Sequence, residues 1–233
     1  SQAWRLQVLT DLAVLPDYSE PGSFASAPGA PVDESGNPVF HKLPETYEKA
    51  ETDGQRWRWC LTEAMERNPA LANQVRFQFA QFLHEQFGEQ TLAYYGGFFR
   101  GDVEDAGGAE PGKEKKEDTG TWALHTLGED ETIARLATGV KRFKLPAEFN
   151  FVRILQDIAA NKDKGYAAEA TQQLGTIFEN RRQYDKAAEW WEKLKAFGGD
   201  CAKQATERLK QIHGNCGQFE PTMTQAAGKC ATL

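Results

Sequence analysis

Residues 168–199, AEATQQLGTIFENRRQYDKAAEWWEKLKAFGG, decide the fold. Thr171, Leu174, Gly175 and Phe178 recur there at helical spacing, and Ala187 and Trp191 do the same in a second run beginning near Tyr184. The spacing predicts two antiparallel helices in close contact. Gly175 has no side chain, so the second helix can approach its backbone, while Leu174, Phe178 and Trp191 fill the space around the contact. One such pair cannot bury its apolar face alone and needs neighbours stacked on it. Stacked pairs of this kind commonly hold other proteins, so a binding or scaffolding role is the first expectation.

The same residues follow the tetratricopeptide pattern W-x₂-L-G-x₂-Y, A-x₃-F and a closing Pro, with Gly199 in the last place. A degenerate copy lies upstream, where Phe79-Ala80-x₂-Leu83 repeats the large-small-x₂-large spacing and Ala93 follows Phe79 by 14 residues, against 13 from Leu174 to Ala187. Leu61-x₂-Ala64-x₄-Pro69 resembles the second half of another unit. The expected fold is all-α, with two or three tetratricopeptide-like, stacked antiparallel helix pairs. Leu174, Gly175, Phe178, Ala187 and Trp191 are its packing residues.

A net charge of −7 and a pI near 5.3 disfavour non-specific binding to a phosphate backbone, so nucleic acid is not an expected partner. No apolar run approaches the length of a membrane span, and no basic segment followed by an apolar one precedes a cleavage site. Residue 1 is Ser rather than Met, so the chain reads as processed or trimmed, and a missing leader does not argue for the cytoplasm.

Five segments are expected. Residues 1–45 hold an amphipathic helix at 2–15 (Trp4, Val8, Leu12, Leu15) and a loop at 16–44 that contains six of the ten prolines. Asp33-Glu34-Ser35-Gly36-Asn37 has the chemistry of a turn. Residues 46–100 hold the degenerate helix pairs, and 101–120 form a charged, Gly-rich insertion. The region 121–213 carries the clear repeat, a helix at 129–143 with acids first and bases last, a helix at 147–160, and a final helix from Cys201 to about His213 capped by Asp200. The tail at 214–233 is expected to be irregular.

Three segments, ETIARLATGVKRFKLP at 131–146, IFENRRQY at 177–184 and GNCGQFEP at 214–221, resemble the repeat-bearing N-terminal region of large bacterial alpha-2-macroglobulin-like proteins of the planctomycete type. The resemblance covers much of 40–230. It implies an exported protein, periplasmic or extracellular, whose helical region precedes β-sandwich domains, a bait segment and, in many members, a thioester. No Cys-Gly-Glu-Gln thioester motif is present, so protease trapping is not assigned to these residues. The partner would be another protein, another domain of the same polypeptide, or a second copy.

Reaction chemistry has few candidates. G-x-S-x-G, H-E-x-x-H and phosphate-cradling Gly-rich loops are absent, so no enzymatic activity, cofactor or metal is expected. His213-x₂-Cys216 with Cys201 and Cys230 offers four zinc-binding groups, but the spacing matches no common zinc module. Cys216 and Cys230 are a candidate disulfide that would close a short loop and contribute roughly 3 kcal/mol, whereas Cys60 and Cys201 read as buried thiols. His84 reads as a solvated or capping residue. Arg56-Trp57-Arg58-Trp59 looks like a stacking platform, yet neighbours on a helix face different ways and one indole is expected in the core. Asn180, Arg181, Arg182 and Trp190 are the candidate partner contacts. A carbohydrate-binding or peptidase-inhibiting helical module is the alternative.

Overall fold

A computed structural model describes residues 30–89, 123–136, 139–161 and 165–216. The expected helix at 2–15, residues 90–100 of the expected degenerate pairs, the insertion at 101–120 and Cys230 lie outside them. Six α-helices and one β-hairpin follow in order: α1 (Asp53–Arg67), α2 (Ala72–Phe87), β1 (Glu131–Leu136), β2 (Gly139–Lys144), α3 (Phe151–Ala159), α4 (Ala167–Asn180), α5 (Tyr184–Lys195) and α6 (Gly199–Cys216). The described residues are mostly helical.

Each helix packs on the next in sequence from α1 to α6. One apolar cluster therefore runs from Trp57 and Leu61 in α1, through Phe82, Leu155 and Leu174, to Leu209 and Ile212 in α6. Local chemistry sets the helix starts. Thr52 accepts from the Gln55 backbone N–H at 3.0 Å while the Gln55 side chain accepts from the Thr52 N–H, a reciprocal cap that starts α1 at Asp53. Asn150 accepts from the Arg153 N–H and starts α3 after a single turn of 3₁₀-helix at Ala147–Phe149. Helix α6 buries one stripe, Ala205, Leu209 and Ile212, and turns Lys203, Gln204, Glu207 and Lys210 to solvent. Among the described residues no helix is long and apolar enough to cross a membrane.

Two expectations are corrected. The helix expected at 129–143 is a hairpin in which Glu131 stands opposite Lys144 and Leu136 opposite Gly139. Acids at one end and bases at the other suit a helix dipole, but they equally suit two strands folded back on each other. Here Arg142 reaches Glu131 at 2.8 Å, and Lys144 lies 3.4 Å from Asp130. The β-branched Thr132, Ile133 and Val140 favour the strand. Tertiary contacts complete it, since the buried Thr132 hydroxyl donates to the Phe87 carbonyl at 2.6 Å and Leu136 bridges Ala30. The second correction is at the tail, where α6 continues to Cys216, so residues 214–216 are helical.

The stretch at 30–38 forms the expected turn. The Asp33 carboxylate accepts from the Ser35 and Asn37 N–H groups, and Lys141 Nζ donates to the Gly36 carbonyl at 2.6 Å, tying the turn to β2.

Candidate functional site

Residues 181–183 fold α5 back along α4, and the contact between these helices centres on Gly175. A Cβ placed on Gly175 would lie 2.7 Å from Trp191 Cε2 and 3.0 Å from Cζ2, so the indole occupies the space of the missing side chain. Leu174, Phe178, Ala187 and Trp191 are all buried around it. The indole N–H is not orphaned by this burial, because it donates to Glu179 Oε1 at 2.5 Å, and Arg208 of α6 pairs with the same carboxylate. One carboxylate thus ties α4, α5 and α6 together.

The corner between α4 and α5 separates two adjacent arginines. The Arg182 N–H donates to the Glu179 carbonyl and the Gln183 N–H to the Phe178 carbonyl, a Schellman closure in which Arg182 takes the left-handed position with φ 56°. Glycine is the unstrained occupant of that position; a residue with a Cβ pays roughly 1–2 kcal/mol. The turn drives Arg181 inward and leaves Arg182 exposed.

Arg181 is 0 % exposed and therefore not an available partner contact, which corrects its place among the candidates. Its Nε lies 3.5 Å from Glu89 Oε1, its Nη1 donates to the Gly128 carbonyl at 3.2 Å, and its guanidinium sits 5.7 Å from the centre of the Phe151 ring. Glu89, just past the end of α2, is itself buried and has His84 Nε2 3.4 Å from its other oxygen. Beside them the buried Gln183 amide donates to the carbonyls of His125 and Leu127. Neither oxygen of Glu89, nor Nε or Nη2 of Arg181, has an aligned hydrogen bond, so the pair is held chiefly by charge.

Burial pushes the Glu89 carboxyl up, but contact with His84 and the charge of Arg181 outweigh it and hold the group below the usual carboxylate range. A depressed folded value means that the pair's contribution is present above the unfolded pKa and is lost as pH falls through the folded one. Urea unfolding of the wild type between about pH 3 and 7 is expected to show stability falling on the acid side, and Glu89→Gln to flatten that limb while lowering stability at neutral pH. An unchanged acid limb in the variant would remove Glu89 from the account.

The other sequence candidates are scattered. Asn180 ends α4 half-buried. Trp190 is half-buried on α5, with Lys193 Nζ 3.6 Å above its ring. Trp57 is buried, whereas Trp59 is half-buried and meets Tyr47 edge-on with centroids 5.9 Å apart. Arg58 lies over Phe82 and donates to the His41 carbonyl. The Arg56–Trp59 run is therefore no continuous platform. Cys60 is buried in α1, Cys201 is half-buried in α6, and the Cys216 side chain lies outside the described residues. Among the described residues no three His, Cys, Asp or Glu side chains gather as a metal site. A shallow depression of about 500 Å³ between residues 39–45 and the start of α1 is rimmed by Leu43, but its lysines are already paired, Lys49 with Glu45 and Lys42 with Glu148.

Glu89 and Gln183 escaped the sequence reading because no periodic rule points to them, their partners lying far away along the chain. Comparison with family models, with curated proteins and with solved structures finds no match.

Proposed function

We propose that this chain is a tetratricopeptide-like helical scaffold that binds a protein partner through the corner between α4 and α5, with no reaction chemistry of its own. The observation that carries this reading is Arg182. Its guanidinium is exposed, makes no ion pair among the described residues, and stands on a left-handed backbone that glycine would occupy at lower cost. Backbone strain of this kind concentrates where a side chain is needed for contact. A planar guanidinium exposed on this turn suits a partner carboxylate, which it can bind through two parallel hydrogen bonds. Asn180 flanks it, and Trp190 adds a half-exposed aromatic on the next helix.

On the resemblance of 131–146, 177–184 and 214–221, the scaffold is the helical part of, or an accessory to, a larger exported alpha-2-macroglobulin-like assembly. The second of those segments contains the corner itself.

Arg182→Gly separates contact from stability. The variant is expected to unfold about 1 kcal/mol later than the wild type, because the strain is relieved and only part of the gain is returned to backbone entropy. In affinity capture from an extract of its source, the same variant is expected to lose a partner that the wild type retains. A more stable variant that captures every wild-type partner undiminished would remove the corner as the contact.

A further inference from the structure

The buried polar groups around Arg181 join the end of α2 and the α4–α5 corner, which share the main apolar cluster, to the turn at 124–128, whose Leu124 and Leu127 pack with Ile133 in a cluster of their own. Arg181 faces Glu89 at the end of α2 and donates to Gly128. Gln183 donates to His125 and Leu127. Thr132 at the start of β1 donates to Phe87. Residues 84–89, 124–132 and 181–183 are thus gathered on one corner, although residues 90–122 lie between the first two in the sequence and, in the order of helix packing, α3 and α4 follow α2 before the corner is reached.

We propose that the Arg181 guanidinium is the hub of a clasp that makes the end of α2, the turn at 124–128 and the α4–α5 corner open and close as one unit. The physical ground is that each member leaves a buried charge or amide behind if it departs alone. Withdrawing Arg181 strands Glu89 in the interior, and withdrawing the 124–128 turn strands the Gln183 amide and Arg181 Nη1. A buried group without a partner is costly, so separate openings are suppressed and a joint opening, which lets water reach all of them, is favoured. Such cooperative units open below the free energy of global unfolding. The unit includes the turn that presents Arg182, so the clasp also governs the exposed face of the corner. The inference stands on the buried contacts and does not depend on the scaffold reading.

Native-state hydrogen exchange on the whole chain tests it through three backbone amides, Gly88, Leu127 and Gln183, each bonded within its own segment to His84, Leu124 and Phe178 respectively. In the wild type the three are expected to share one protection factor and one denaturant dependence, both smaller than those of Leu155 and Leu174 in the core. In Glu89→Gln, which keeps the shape and removes the charge, all three are expected to exchange faster by a common factor of about ten or more. Three unrelated protection factors, protection equal to that of the core, or acceleration confined to Gly88 in the variant would each overturn the clasp. The wild-type measurement decides the matter even if the variant does not fold.

Discussion

Arg181→Ala is expected to cost about 3–5 kcal/mol of folding stability, the size of effect seen when one member of a buried ion pair is removed and the other charge is left uncompensated. For a chain of this length that corresponds to a fall in melting temperature of roughly 6–20 °C. The alanine also gives up the bond to the Gly128 carbonyl and the contact with Phe151. Differential scanning calorimetry at neutral pH checks the figure. The expectation for a surface contact is different in kind, since substitutions away from buried features stay within about 0.5 kcal/mol. A loss that small would return Arg181 to the surface and dismantle the clasp. The neighbouring Arg182→Gly runs in the opposite direction, so the two adjacent arginines make a matched pair of experiments.

Gly175→Ala is the second large effect. The added methyl would meet Trp191 Cε2, Cδ2 and Cζ2 at 2.7, 2.9 and 3.0 Å, all ring atoms of a 1 % exposed indole that its bond to Glu179 holds in place. Overpacking of a close contact costs about 1–3 kcal/mol, and here it works against the helix-propensity gain of about 1 kcal/mol that alanine would otherwise bring. The net expectation is destabilisation, with Trp191 displaced and its bond to Glu179 weakened. Combining Gly175→Ala with Trp191→Phe, whose smaller ring vacates part of the space, is expected to recover some of the loss. Additive losses in the double variant would mean that the two residues do not press on each other.

The legible part of the fold was the part written in local steric terms. Gly175 with Trp191 and the helix pair around them could be read from spacing, because a missing side chain and a large ring four residues after a small one describe one contact. The turn at Asp33–Asn37, and the burial of one indole of the Trp57 and Trp59 pair, were legible for similar local reasons. The hairpin was not. Its apolar residues Ile133, Leu136 and Val140 also fit a helical stripe, and its charges fit a helix dipole, so the choice fell to the contacts of Thr132 with Phe87 and of Leu136 with Ala30, which no local window contains.

The candidate site was half legible. Asn180-Arg181-Arg182-Gln183 is a polar run between two helices, and such runs ordinarily lie in solvent. A left-handed residue at Arg182 rotates the chain so that Arg181 and Gln183 enter the interior and Arg182 alone of the four is exposed. Glycine usually marks that turn; with arginine in its place the sequence carried no signal of it. Glu89, which makes the inward turn of Arg181 tolerable, follows a helix end and pairs with a residue from the other half of the molecule.

The account rests on α5 lying directly against the bare backbone of α4, since that contact positions the corner, directs Arg181 inward and presents Arg182. Nuclear Overhauser spectra of the labelled protein measure it most directly. Strong cross-peaks between the Gly175 Hα protons and the Trp191 indole ring protons are the predicted result. Their absence, with the Gly175 protons instead showing water or backbone neighbours only, would contradict the fold and with it the corner that the proposed function uses.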